Sequence, residues 1–135
     1  MRKSVYTLLY LVLLCYHAQA FSHHSFAVHF VPEKIISVSG EVTEYKFTNP
    51  HGLVFFKSRN KDGELEEWRA ETNSPSVLRR RGWSKTSIKA GDMITVEGFP
   101  ARDGSNILRI HRVVFPDGHV LLGQRRDLTD LPDND

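Results

Sequence analysis

Between Ile35 and Phe47, Ile36, Val38, Gly40 and Val42 fall on one parity, and charged or hydroxyl residues hold most of the other. An alternation of period two is what a strand with one buried face requires, because successive side chains point to opposite sides of a sheet. Gly40 in the middle of that run predicts a bulge or tight coil, the kink with which a small barrel turns a long first strand. Asn49-Pro50-His51-Gly52 breaks the pattern as a turn, and Leu53 to Ser58 resumes it as a second strand. Lys61-Asp62-Gly63-Glu64 is a hairpin signal, since Asp-Gly supplies positive-φ positions, and Leu65 to Thr72 returns as a third strand that contains Trp68.

A short helix follows the meander. Ser74 stands as its N-cap, Pro75 takes the first helical position, Arg79-Arg80-Arg81 favour its last turn, and Gly82 stops it. Met93 to Gly98 and Asn106 to Phe115 read as two further strands, and His119 to Gly123, after the turn Pro116-Asp117-Gly118, is available as a sixth, closing one. The order βββ-α-ββ predicts an all-β chain with one short helix, an OB-fold-like five-stranded β-barrel over residues 21–123. Residues 124–135 hold Asp127, Asp130, Asp133 and Asp135 with few apolar residues, which predicts a disordered acidic tail.

The first 20 residues belong to a different kind of segment. Arg2 and Lys3 precede an apolar run from Val5 to Tyr16, and Ala18-x-Ala20 follows as a small-residue cleavage site, the three parts of a signal peptide. The run is too short for a membrane-spanning helix, so the expectation is an exported chain, periplasmic or secreted, with no membrane anchor. Cys15 lies within the leader and Leu14 precedes it, which does not suit lipoprotein processing. No other cysteine exists, so the exported chain has neither disulfide nor thiolate chemistry. With Arg2 and Lys3 removed, 16 basic residues face 16 acidic ones. That balance speaks against nucleic acid as a partner, because nonspecific binding depends on a net basic surface.

Several short stretches carry a family resemblance: His23-His24-Ser25-Phe26-Ala27, Gly40-Glu41-Val42, Thr48-Asn49-Pro50-His51, Trp68 with Glu71, Leu78 with Arg80-Arg81-Gly82-Trp83, Gly91-Asp92, and Arg102-Asp103-Gly104-Ser105. In this pattern, which covers nearly all of the chain after the leader, the protein resembles the small secreted bacterial proteins grouped as domain of unknown function 6152. The resemblance implies a secreted bacterial barrel and no named reaction, the family's activity being itself unassigned. One departure stands at the front. Members of the family often place the His-His pair directly after the cleavage site, whereas Phe21-Ser22 intervenes here.

Cleavage after Ala20 would leave Phe21-Ser22-His23, whose terminal amine, two backbone amides and imidazole can wrap a square-planar Cu(II) or Ni(II) ion. Cleavage after Ser22, where Ala20-x-Ser22 also fits the small-residue rule, would put His23 itself at the terminus, able to chelate copper through amine and ring. Any exported chain with a histidine near its start shares this capacity in vitro. His51, in a loop at a strand end, is a candidate third ligand beside His23 or His24; alternatively Asn49-Pro50-His51-Gly52 is a tight turn with Asn49 capping backbone amides. Glu71 has the opposite parity to Trp68 and is either a carboxylate ligand or an ion-pair partner of Arg80 or Arg81.

Arg79-Arg80-Arg81 with Trp83 form either an anion or single-strand platform, or a barrel plug in which Trp83 and Leu78 are buried and the arginines solvated. His111 shares the parity of Arg109 and Val113 and reads as a surface or internally satisfied histidine, and His119 as a turn residue. No nucleophile elbow, phosphate-cradling glycine loop or CxxC motif is present, so the chain reads as a binding protein and not an enzyme. The leading expectation is a copper-class divalent ion held by His23, His24 and His51. The alternative is a cell-envelope interaction module that takes a small anionic ligand or a protein partner near Asn49, Glu71, Arg80, Arg81 and Trp83.

Overall fold

The computed structural model describes residues 25–124. The leader, His23, His24 and the acidic tail from residue 125 onward lie outside the described residues. In chain order the elements are α1 (Ser25–His29), β1 (Ile36–Lys46), β2 (Leu53–Arg59), β3 (Leu65–Glu71), α2 (Pro75–Arg79), β4 (Met93–Pro100), β5 (Ile107–Val114) and β6 (Val120–Leu122).

β1 pairs antiparallel with β2 through its second half and with β4 through its first, and β4 continues to β5. A parallel pairing of β3 with β5 then closes the ring, with Arg69 opposite Ile107 and Glu71 opposite Arg109. The closed circuit β1-β2-β3-β5-β4, with its helix between β3 and β4, is the OB-type barrel expected from the element order. β6 stands outside the circuit and pairs with the C-terminal half of β5. Among the described residues no helix is long and apolar enough to cross a membrane.

Gly40 lies where β1 passes from one partner to the other. A side chain there would collide with the Lys57 carbonyl oxygen, so the glycine serves close strand approach. The bulge itself falls later, between Val42 and Glu44, where β1 slips register against β2. Thr43 and Glu44 are both exposed as a result, and the inward parity resumes at Tyr45.

The interior is filled by Val42, Val54, Phe56, Ala70, Ile94, Val96, Leu108, Ile110, Val113 and Leu121. α2 and the segment after it close one barrel end with Leu78, Trp83 and Ile88. Ser74 departs from its expected role. Its carbonyl accepts from the amides of Val77 and Leu78 at 3.0 Å each, but its hydroxyl lies 3.0 Å from that of Ser76 and caps no backbone amide. Gly82, at φ 83°, ends the helix as expected.

A second irregularity corrects the reading of β5. Arg112 pairs with Glu97 and Ile110 with Gly98, which leaves His111 as an extra residue on its strand. The parity reverses there, and His111 is turned inward, 3% exposed, with its ring edge-on to Phe99 at 6.1 Å. It is a buried residue, so of the two readings, surface or internally satisfied, the surface one is not realised.

Candidate functional site

The even-numbered residues Ala70 and Leu108 of the parallel pair point into the core, so Arg69 and Glu71 of β3 and Ile107 and Arg109 of β5 project from the barrel's outer face. Three segments convert that face into a cleft. α1 lies along one side, the β1–β2 turn brings His51 to another, and the β4–β5 loop supplies Ala101, Asp103 and Ser105. The space enclosed is about 530 Å³, within the range of small-ligand sites.

α1 is too short to be stable alone, and docking holds it. Phe30 makes an isolated bridge to Ala101, and the Val31 amide donates to Pro100 at 3.0 Å. Arg102 straps the helix end: its amide donates to the His29 carbonyl at 2.9 Å, its Nε to Ala27 at 3.1 Å and its Nη2 to Phe30 at 3.2 Å. A cation over the last carbonyls of a helix satisfies acceptors that the helix leaves open. Phe26 stacks on Phe30 at 5.6 Å and meets Phe99 edge-on at 5.4 Å, which gives the cleft an apolar wall.

The loop opposite is shaped by Asp103. Its Oδ1 accepts from the Ser105 amide at 3.0 Å and from the Ser105 hydroxyl at 2.6 Å, an Asx turn completed by Gly104 at φ 80°. Those bonds, the hydroxyl's first, hold the carboxyl below the ordinary aspartate range.

The cleft floor carries the charge. Arg69 Nη2 reaches Glu71 Oε1 at 3.1 Å. Arg109 donates through Nη1 to the Thr72 carbonyl at 2.9 Å and through Nη2 to Asn73 Oδ1 at 3.0 Å, both neutral acceptors. Among the described residues no carboxylate comes within 4.0 Å of its guanidinium. Burial pushes the Arg109 pKa down from its ordinary value, Glu71 works in the opposite direction, and the charge of Arg81 adds to the depression. Among the described residues the Nε–H groups of Arg69 and Arg109 are buried and meet no acceptor.

His51 is exposed and lines this cleft, as do Glu71 and His29. The Asn49–Pro50 peptide is cis, and Asn49 is exposed, with its carbonyl 3.4 Å from the Thr48 hydroxyl; the cap that its side chain was expected to place on the turn is not made. Glu71 pairs with Arg69 and not with the expected Arg80 or Arg81. Arg80 is exposed, whereas Arg81 bonds the Gly123 carbonyl that also accepts from Asn73 Nδ2 at 2.6 Å. Trp83 is 2% exposed and donates its indole N–H to Leu122 at 2.9 Å, so it presents no ring face to a ligand. None of Arg80, Arg81 and Trp83 lines the cleft, and Arg81 acts on it only from behind, through its charge on Arg109 and the Gly123 carbonyl it shares with Asn73. Among the described residues no three His, Cys, Asp or Glu side chains are grouped closely enough to hold a metal ion.

Sequence reasoning missed Arg69, Arg109, His29 and Asp103. A usable sign was present: in an OB-type order the third and fifth strands are neighbours, and the outward parity of Arg69 and Glu71 on one and Arg109 on the other places them on one face.

Comparison with known proteins gives a family and a distant structural likeness. The model of a family described as "Family of unknown function (DUF6152)" matches residues 11–108. Among solved structures, a small single-stranded DNA-binding protein from Streptomyces coelicolor is similar at 16% identity and a TM-score of 0.39, over 61% of this chain and 90% of that one. No curated protein matches.

Proposed function

The chain belongs to the family of unknown function DUF6152, and from that starting point we propose that it is an exported, noncatalytic binding module whose cleft over the β3–β5 pair takes a small anionic ligand. The observation that carries this reading is Arg109, a half-buried cation whose direct partners are neutral and which lines a ligand-sized cleft. A buried charge is costly unless paired, and an incoming anion supplies the missing partner. Export rests on the leader features of residues 1–20.

The test is a thermal-melting comparison of wild type and Arg109→Gln in increasing acetate at constant ionic strength. Selective binding to the folded chain raises the wild-type midpoint by several degrees and leaves the variant behind. Equal responses would refute the anion reading.

A second reading, copper-class binding through His23, His24 and His51, draws support from one relationship. α1 begins at the residue after His24, and its Phe26 and His29 line the same cleft as His51. Native mass spectrometry of chelator-free exported protein tests it, because one spectrum reports both the N-terminal residue and any metal. A start at Phe21 or His23 with one copper, lost in His51→Ala, supports three-histidine binding; protein that stays metal-free after exposure to copper removes it.

A further inference from the structure

Resting on the anion reading of the cleft, we infer that its ligand is a small monocarboxylate with an apolar, ring-sized body, the carboxylate held by Arg109 and the body lying between Phe26 and Ile107. Charge sets the first half of this assignment. Arg69, Arg109 and Glu71 leave the floor with one net positive charge, which one negative charge neutralises. A phosphate monoester or a nucleic-acid backbone would bring further negative charge against Glu71 and, at the rim, Asp103.

The guanidinium geometry agrees. Arginine has five N–H donors, and Arg109 commits one to Thr72 and one to Asn73, which leaves donors for the two oxygens of a carboxylate. The wall facing the floor sets the second half. Phe30 and Phe99 are 8% and 9% exposed, while Phe26, packed against both, is only half-buried and lines the cleft. Ile107 lines it from β5. A ligand with an apolar body would cover what remains open of Phe26, and a cleft of about 530 Å³ accommodates a ring and a short side chain.

The experiment is an NMR titration of isotopically labelled protein, expressed from the full chain, with four probes at constant ionic strength: 3-phenylpropionate, 3-phenylpropionamide, acetate and inorganic phosphate. Amide shifts in α1 and β5 report occupancy. We expect 3-phenylpropionate to bind at least about tenfold more tightly than acetate, phosphate or the neutral amide. Phe26→Ala narrows the advantage over acetate, and Arg109→Gln removes the advantage over the amide. Arg109→Lys, which keeps the charge and loses the fork, gives an intermediate loss if Arg109→Gln does not fold. Equal binding of acetate, phosphate and 3-phenylpropionate, all lost in Arg109→Gln, would overturn the apolar body and leave the anion reading standing. Binding of the amide as tight as that of the acid, or no shift with any probe, would overturn both.

Discussion

Glu71 and Arg109 face each other across the parallel β3–β5 pair, yet the Glu71 carboxylate bonds Arg69 on its own strand, 3.1 Å away. The cross-strand cation keeps only neutral acceptors, the Thr72 carbonyl and the Asn73 amide. Glu71 thus moderates the field at Arg109 without occupying its donors, and it raises the pKa that burial depresses.

Glu71→Gln removes that moderating charge. Acetate affinity rises roughly three- to tenfold, by the Coulomb energy of one charge at short range in a partly screened site. The lost half-exposed ion pair costs no more than about 1 kcal/mol of stability. An NMR titration with acetate, paired with urea unfolding, checks both; unchanged affinity would mean that the cleft does not hold the anion beside Arg109.

Gly98→Ala is strongly destabilising. The new methyl group would stand 2.5 Å from the Arg109 carbonyl oxygen, and a ladder backbone on both sides limits relaxation. A loss of about 2–3 kcal/mol is expected from overpacking of this kind. The urea midpoint reads it directly, and a wild-type midpoint would show that β4 and β5 separate more easily than this closeness requires.

Arg102→Ala loosens α1 while sparing the barrel. Two of its three bonds to the helix end are from the side chain, to Ala27 and Phe30. Amide exchange at Phe30 and Val31 should accelerate about tenfold, with global stability changed by less than about 1 kcal/mol. Unchanged exchange would assign the docking of α1 to Phe26 and Phe30 alone.

Asp103→Asn tests the rim loop through pH. The folded-state pKa of Asp103 is lowered by its bonds to Ser105, so its ionised form adds stability above the ordinary aspartate range, and that contribution fades as pH falls through the depressed value. The gap in stability between wild type and variant should therefore be constant near neutrality and close in acid. Urea unfolding at a series of pH values measures it; a gap that widens in acid would contradict the direction of the shift.

The barrel was legible because its cues are local. Alternation marked the strands, and the Asp62-Gly63 turn, with Gly63 at φ 82°, marked the first hairpin. α1 was not legible: Ser-Phe-Ala-Val-His carries no cap or period, and the helix is held by a loop more than 70 residues away in sequence. The burial of His111 was hidden by a bulge, which no parity count can detect. Runs of chemistry in the sequence also misdirected attention. Arg80, Arg81 and Trp83 are conspicuous as neighbours, but the chain turns Trp83 into the core, whereas Arg69, Glu71 and Arg109 come together only when β3 meets β5.

The extra residue at His111 gives β5 two orientations on one backbone. Before it, positions 107 and 109 look onto the cleft; after it, Arg112 turns to Glu97, bonding it at 2.7 and 3.1 Å, and Val114 pairs with Val120 of β6. Substitution at the first two positions changes the cleft surface without touching the Arg112–Glu97 pair, and substitution at 112 or 114 acts on that far seam without reaching the cleft. One strand therefore carries two distinct surfaces, the cleft side where it closes the ring on β3 and the far side where it meets β4 and β6.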